Sequence, residues 1–140
     1  MKAKVFFLSL MCLICGSVLA QEAPAADLEF NERVHDFGQI NEENGKVTTF
    51  FEFTNLTNVP LTLTNVRASC GCTTPQWSKE PIAPGKKGVI TVTYNPKGRP
   101  GNFNKSITLT YVLAGDTESK TAVVNIRGEV IPAPKPEPAQ

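Results

Sequence analysis

The chain has few of the residues from which enzymes and metal sites are usually built. Its 140 residues include one histidine, His35, and four cysteines, of which only Cys70 and Cys72 lie beyond the N-terminal apolar segment. Two cysteines one residue apart cannot join distant parts of a domain, so a disulfide-rich scaffold is excluded. A single histidine also excludes most hydrolase and zinc designs, which need further ligands or a base with its partners.

The chain has no large excess of basic or of acidic residues. Two of the 14 basic residues, Lys2 and Lys4, belong to the N-terminal segment, whereas all 13 acidic residues lie beyond position 20. The rest of the chain therefore carries 12 basic and 13 acidic residues, a net charge near −1. This balance provides no basic footprint for nucleic acid or for an anionic membrane surface, and we expect neither as a partner.

Catalytic pairs of side chains are also missing. His35 and Asp36 are adjacent on a predicted strand, so their side chains point to opposite faces of the sheet. The acidic residues are scattered through predicted loops and strand ends, without the facing pair of carboxylates that glycoside hydrolysis needs. We therefore expect that the protein is not an enzyme.

One long apolar run is present, and it lies at the N-terminus. Residues 5–14 follow two lysines and are too few to span a bilayer with ordinary flanks, and residues 18–20 offer the small side chains that signal peptidase accepts. We predict a signal peptide over residues 1–20, cleaved after Ala20, and export to the periplasm or the medium with no remaining membrane span. A lipoprotein signal fits poorly because neither Cys12 nor Cys15 follows a small residue.

Helical periodicity is missing between residues 28 and 131. Apolar and polar residues alternate there with a period of two, and β-branched residues are frequent, as half-buried strands favour. Turn residues such as Pro84-Gly85 separate the runs. The pattern predicts an all-β, single immunoglobulin-like β-sandwich of about seven strands, with a closed barrel as the alternative. The predicted strands are residues 28–37, 47–55, 61–68, 76–79, 88–94, 103–113 and 121–131.

The same alternation predicts which side chains form the core. Only one face of each sheet can meet the other sheet, so one set of alternating residues should be buried. Residues 21–27 are expected to form a spacer before the domain, and the proline-rich residues 132–140 an extended tail after it. The predicted core residues are Phe51, Phe53, Leu61, Leu63, Ile90, Val92, Ile107, Leu109, Val124 and Ile126.

Several short blocks give the chain a family likeness. The blocks are residues 34–40, 55–61, 68–73, 81–85, 101–105 and 126–130. In this order they resemble the bacterial family known as domain of unknown function 1573, which is common in exported proteins of Bacteroidetes. The likeness covers almost the whole mature chain and implies an immunoglobulin-like fold, similar to domains of sperm and ciliary proteins. It implies no activity.

The most unusual block is Cys70-Gly71-Cys72. In a regular strand the two α-carbons would be about 6.6–7.2 Å apart, slightly too far for a disulfide. Gly71 should relieve this, because glycine can adopt backbone angles that bring its neighbours together. Such a small bridge would be strained and easily reduced. The alternatives are capture of a soft metal such as Cu(I) by two thiolates, or bonding to a partner's cysteine.

Two hypotheses of function follow from the sequence. The first is an exported, non-enzymatic interaction or assembly module of the bacterial envelope, with an unknown protein partner. The second is a periplasmic thiol-redox or Cu(I)-binding protein that acts through Cys70 and Cys72. Trp77 is a further candidate for partner binding, and His35 is the only histidine that could add a third metal ligand. No other cofactor is expected.

Overall fold

Two four-stranded sheets face each other in the computed structural model, which describes residues 26–138. The first sheet has the strand order β1-β3-β6-β5 and the second β2-β8-β7-β4. Neighbouring strands are antiparallel except β2, which runs parallel to β8. The predicted signal peptide lies outside the described residues. The strands are β1 (Leu28–Phe30), β2 (Val34–Asn41), β3 (Val47–Asn55), β4 (Leu61–Ala68), β5 (Thr73–Trp77), β6 (Lys87–Tyr94), β7 (Gly101–Leu113) and β8 (Lys120–Ile131), with one 3₁₀ turn at Glu42–Asn44.

The core lies between the two sheets and confirms the predicted alternation. All ten predicted core residues are buried, each with at most 2% of its surface exposed. Tyr94 and Phe103 add a stacked aromatic pair, with ring centroids 4.1 Å apart. Because the strands form two separate sheets, the fold is the predicted sandwich and not a closed barrel.

The first predicted strand, residues 28–37, is two strands in the structure. β1 pairs with β3 in the first sheet, whereas β2 pairs with β8 in the second. The chain crosses between the sheets at residues 31–33, where the side chain of Asn31 accepts a hydrogen bond from the Glu52 N–H at 3.0 Å. In the sequence the crossing coincides with three consecutive polar residues, Asn31-Glu32-Arg33, which the predicted strand ran through.

Two other boundaries are corrected. The predicted strand at residues 76–79 is β5, three residues earlier, and it contains Pro75. Proline is tolerated there because β5 is an edge strand of the first sheet. The first predicted strand ended at residue 37, whereas β2 continues to Asn41 with a bulge at Gly38.

This bulge belongs to an interlocked region that we call the bulge seam: residues 36–38 of β2, Arg127 and Gly128 of β8, and Phe103 of β7. The Asp36 carboxylate accepts hydrogen bonds from the Gly38 N–H at 2.8 Å and the Arg127 Nε at 2.9 Å. These two bonds, the backbone one first, lower the pKa of Asp36. A β-carbon on Gly128 would lie 2.9 Å from both the Gly38 carbonyl oxygen and the Phe103 ring. The seam therefore needs glycine at position 128.

A second interlocked point joins residues 55–61 to residues 81–85. Asn55 is completely buried, and its Nδ2 donates to the carbonyls of Val59 and Ile82, both at 2.9 Å. Its Oδ1 accepts the Thr57 N–H at 2.9 Å. Gly85, with φ of 73°, donates its N–H to the Asn55 carbonyl at 2.8 Å, in the turn that Pro84-Gly85 predicted. The hydrogen bonds of Asn55 thus explain why the two sequence blocks 55–61 and 81–85 lie together in the fold.

The last residue of the predicted spacer is part of the domain. The Asp27 carboxylate accepts hydrogen bonds from the Tyr111 hydroxyl at 3.0 Å and the Lys120 Nζ at 2.8 Å. The Lys120 hydrogen bond is the main cause of the lowered pKa of Asp27. Burial, with the Asp27 hydrogen bond, raises the pKa of Tyr111 to about 12. The start of the described chain is therefore fixed to the second sheet.

Candidate functional site

The cysteine loop, residues 69–72, carries the chain from one sheet to the other. It follows β4, an edge strand of the second sheet, and precedes β5, an edge strand of the first. The Thr73 N–H donates to the Cys70 carbonyl at 3.3 Å, which closes a β-turn. Within this turn a disulfide joins Cys70 to Cys72, with α-carbons 5.4 Å apart. The bridge lies at one end of the sandwich and spans only the turn.

Gly71 does not have the conformation that the sequence suggested. Its φ is outside the left-handed region, so the turn brings the two cysteines together with backbone angles that other residues also adopt. A β-carbon at position 71 would meet no atom within 4 Å. The glycine therefore leaves the outside of the loop bare, and neither strain nor crowding requires it.

The two sulfurs have different surroundings. Cys72 is buried, with 5% of its surface exposed, whereas Cys70 is half-buried. Thr73 is also buried, and its Oγ1 lies 3.7 Å from the Cys72 Sγ and 3.9 Å from the Cys70 Sγ. Among residues 26–138 the Thr73 hydroxyl has hydrogen-bond contacts with these two sulfurs alone. Thr73 was not singled out from the sequence, although it directly follows Cys72.

A cleft of about 320 Å³ opens beside the disulfide. Gly71, Cys72 and Lys46 are among the residues that line it. Strand pairing brings Lys46 there. Lys46 directly precedes β3, and the first residue of β3 pairs with Tyr94, the last residue of β6. Asn95, which follows Tyr94, donates its N–H to the Cys72 carbonyl at 2.9 Å. The 25 residues between Lys46 and Cys72 hide this proximity in the sequence. A cationic residue thus lines the same cleft as Cys72. The full lining is Lys46, Gly71, Cys72, Thr74, Gln76, Thr93 and Asn95.

His35 is not part of this site. It lies on β2, at the edge of the second sheet opposite β4, so three inter-strand spacings, about 14 Å, separate it from the strand before the cysteines. Its Nδ1 lies 2.8 Å from the Glu32 carboxylate. Among the described residues no group of three or more potential ligands could hold a metal ion. The structure therefore does not bring His35 and the cysteines together.

Trp77 lies away from the disulfide. It is the last residue of β5, four positions beyond Thr73, and its half-buried side chain packs against the core. Its Nε1 is buried and has no hydrogen-bond partner among the described residues. Phe50 lies on the other face of the same sheet, so the two aromatic residues do not form one patch. Trp77 closes the core in this structure.

The outer face of the first sheet leads from the cysteine loop to an exposed aromatic residue. This outer face consists of the outward side chains of β3, β5 and β6. Phe50 of β3 pairs with Thr91 of β6, which pairs with Gln76 of β5 in the cleft. Phe50 is 61% exposed, and its diagonal neighbour Val89 is 46% exposed. Val89 was not predicted as a surface residue of interest, although it is the one apolar residue among the polar positions of β6.

The edges of both sheets are poor templates for a further strand. In the first sheet β1 has only three residues and β5 contains Pro75, which has no N–H to donate. In the second sheet the pairing of β2 shifts beyond Asp36, and that of β4 shifts beyond Leu63. These irregularities blunt the open edges. The faces of the sheets are therefore better suited than their edges to hold a partner.

Comparison with known proteins gives a family and a fold. Residues 28–130 match the model of a family described as protein of unknown function, DUF1573. No curated protein sequence matches the chain. Among the described residues, no helix has the length and apolar character to cross a membrane.

Solved structures share the sandwich. The PapD-like domain 7 of human CEP192 superposes with a TM-score of 0.64 at 11% identity, over 84% of this chain and 98% of that domain. The VesB protease of Vibrio cholerae gives 0.61 at 23% identity, over 74% of this chain and 32% of that one. A protein of unknown function from Porphyromonas gingivalis W83 gives 0.59 at 16% identity, over 73% and 46%. The chain thus spans less than half of both bacterial proteins, and these likenesses show the PapD-like, immunoglobulin-like fold alone.

Proposed function

The chain belongs to the DUF1573 family, and we propose that it is an exported, non-enzymatic interaction module that binds a protein partner of the bacterial envelope on the outer face of its first sheet. The observation that carries this proposal is the exposure of Phe50, 61% of whose surface faces solvent on a regular central strand. A large aromatic side chain held on a rigid sheet is a typical anchor of a protein interface.

The surroundings of Phe50 support a protein partner. Val89 extends the apolar surface diagonally across β6, and the threonines beside it can both donate and accept hydrogen bonds. Thr48 and Thr93 already share a hydrogen bond at 3.1 Å across the two strands. An aromatic and aliphatic centre with a polar surround resembles the composition of protein interfaces.

Export is supported by chemistry of the described residues as well as by the predicted signal peptide. A disulfide between Cys70 and Cys72 persists in an oxidising compartment and is rare in the cytosol. The periplasm or the medium is such a compartment. The PapD-like sandwich is a scaffold for many unrelated functions, so the proposal depends on the surface and not on the fold.

Photo-crosslinking in living cells of the source bacterium tests the docking face. A photoreactive phenylalanine analogue is placed at position 50 of the full-length chain, and in a control at position 123 on the outward face of β8, where Val123 is 44% exposed. We expect a discrete adduct with a protein from position 50 and none from position 123. The identified partner should then bind the Phe50→Ser variant about 30-fold more weakly than the wild type, as for loss of an interface anchor.

Equal adducts from both positions, or unchanged binding by Phe50→Ser, would remove the docking face from the proposal. The Val123→Ser variant is the matched control, because it also removes an exposed apolar side chain from the middle of a long strand. It should bind the partner like the wild type.

A second candidate function is thiol-redox chemistry or Cu(I) binding through Cys70 and Cys72. It is favoured by the cleft beside the disulfide, which Cys72 and the cationic residue Lys46 both line. Only the reduced pair could hold Cu(I), because metal ligation needs thiolates. Competition with a chromogenic Cu(I) chelator should show binding by the reduced wild type and none by a Cys70→Ser, Cys72→Ser double variant. Equal copper uptake by both would exclude this site.

A further inference from the structure

The asymmetry of the cysteine loop gives its two sulfurs different chemical roles. Thiol–disulfide exchange begins when a thiolate attacks one sulfur, and the other sulfur leaves as a thiolate. Attack requires access, and Cys70 is half-buried whereas only 5% of Cys72 is exposed. The geometry favours Cys70 as the sulfur that is attacked and Cys72 as the one that leaves.

The surroundings of Cys72 suit a leaving thiolate. Thr73 is a buried residue, with 4% of its surface exposed. Its hydroxyl lies 3.7 Å from the Cys72 Sγ and contacts only the two sulfurs among the described residues. A hydrogen bond donated to a thiolate stabilises the charged form, and a better leaving group accelerates exchange. Lys46 lines the same cleft as Cys72, and a cation near a thiol favours the thiolate.

We propose that the Cys70–Cys72 disulfide is a directional exchange site for a cysteine thiol of a partner protein, with Thr73 as hydrogen-bond donor to the leaving sulfur. The partner's thiolate forms a new S–S bond with the Cys70 Sγ, and the Cys70–Cys72 bond breaks. The electron pair of that bond passes to the Cys72 Sγ. This sulfur becomes a thiolate, and the Thr73 hydroxyl donates a hydrogen bond to it. Return attack by Cys72 on Cys70 expels the partner's thiolate and restores the disulfide.

This inference rests on the thiol-redox candidate of the proposed function and is independent of the docking face at Phe50. It also accounts for Gly71. A side chain at position 71 would contact nothing in the domain. The absence of a side chain there therefore affects only a molecule that approaches the disulfide from outside.

Reduced glutathione is the probe thiol for the experiment. The purified, oxidised mature chain is mixed with glutathione, quenched with acid, alkylated with N-ethylmaleimide and mapped by peptide mass. We expect glutathione on Cys70 and the alkyl group on Cys72. The rate of opening should fall about tenfold in Thr73→Val, which removes the donor but keeps the shape, because a hydrogen bond to a charged group is lost.

Two control variants separate the hydroxyl from packing. Thr73→Ser restores a hydroxyl and should open at nearly the wild-type rate, and Thr121→Val makes the same change as Thr73→Val at an exposed threonine of β8, outside the cleft, and should have no effect. In the reduced protein the thiol pKa of Cys72, followed by thiolate absorbance, should rise by about one unit in Thr73→Val and not in Thr73→Ser. A purely structural role of Thr73 would not move this pKa.

Several results would overturn the proposal. Glutathione found mainly on Cys72 would reverse the direction, and equal rates in Thr73→Val and the wild type would remove the donor. A disulfide that glutathione opens only in urea would show that the site is closed to thiols. None of these results would affect crosslinking at Phe50, so the two proposals fail separately.

Discussion

The bulge seam and the cysteine loop are both short and both interrupt regular strand pairing, but they are built in opposite ways. In the seam, parts of β2, β7 and β8 meet, and the Asp36 carboxylate, Gly128 and the Phe103 ring each contact another part of the seam. In the cysteine loop, the disulfide and the turn hydrogen bond both lie within residues 70–73. The seam joins distant segments through side-chain and steric contacts, whereas the disulfide closes only its own turn and the loop is tied to other segments by hydrogen bonds of Ser69 with Ser106 and of Cys72 with Asn95.

This difference separates residues that the fold needs from residues that it can do without. A side chain at position 128 would clash with neighbouring atoms of the domain, whereas a side chain at position 71 would clash with none. Changes in the seam should therefore lower stability, and changes in the loop should leave stability almost intact while altering chemistry at the surface. Five measurements test this contrast.

Truncation of the seam's aromatic residue should have the largest effect. Phe103 is 7% exposed and stacks on Tyr94 with ring centroids 4.1 Å apart. The Phe103→Ala variant should lose about 3 kcal/mol or more of unfolding free energy, because it leaves a cavity between the sheets. Urea unfolding followed by circular dichroism measures this loss. Phe50→Ala is the matched control, since the same truncation on the outer face should cost well under about 1 kcal/mol.

The second effect is steric. In Gly128→Ala the new β-carbon would lie 2.9 Å from the Gly38 carbonyl oxygen, which is backbone and cannot rotate away. Strand β2 or the Phe103 ring must shift, at a cost of about 2 kcal/mol, as for other overpacked sites. Thermal unfolding should show a clearly lower Tm. An unchanged Tm would mean that β2 moves freely and that the seam is not a rigid junction.

Removal of the disulfide should cost less. The double variant Cys70→Ser, Cys72→Ser should lose about 1 kcal/mol, because closing so small a loop constrains the unfolded chain little. Reduced wild-type protein should unfold at nearly the same urea concentration as the double variant. If the double variant failed to fold while the reduced wild type folded normally, the pair would be core packing rather than a surface site.

A pH titration should distinguish the regions without any mutation. The pKa of Asp36 is lowered by the hydrogen bonds from Gly38 and Arg127, so its stabilising effect is present above the unfolded pKa of about 3.9. That effect is lost as the pH falls through the lowered, folded value. Acidification should therefore perturb the amide NMR signal of Gly38 before that of Thr73. The Thr73 N–H is hydrogen-bonded to a backbone carbonyl, which does not titrate. An Asp36→Asn variant should lack the early Gly38 transition.

The sequence predicted the core better than it predicted the connections between strands. Alternation places Phe51 and Ile90 on one face whatever the topology, so a period of two suffices to identify them. The crossing after Phe30 was missed, although the polar run Asn31-Glu32-Arg33 interrupts the alternation there. The first predicted strand stopped at residue 37, because a glycine such as Gly38 can mark the end of a strand as well as a bulge within it.

The candidate site was predicted only in part. Cys70 and Cys72 stand out because only one residue separates them and because their thiols can form a disulfide or bind a metal. Lys46 could not be found in this way, since it reaches the cleft only through the pairing of β3 with β6 and of β6 with β5. His35 was considered as a ligand because it is the only histidine, but its position on β2 depends on the strand order, which the sequence pattern leaves open.

The smallest expected effect on stability is at Gly71. Because its φ lies outside the left-handed region and a β-carbon would meet nothing within 4 Å, Gly71→Ala should change the unfolding free energy by less than about 0.5 kcal/mol. The same glycine-to-alanine change at Gly128 should cost about 2 kcal/mol, so the pair forms a direct test of the contrast between loop and seam. Larger side chains at position 71 should also leave stability intact but shield the disulfide, and Gly71→Leu should be opened by glutathione several-fold more slowly than Gly71→Ala. A large drop in the Tm of Gly71→Ala would show that the loop needs glycine for folding, and the bare surface beside the disulfide would then have no functional meaning.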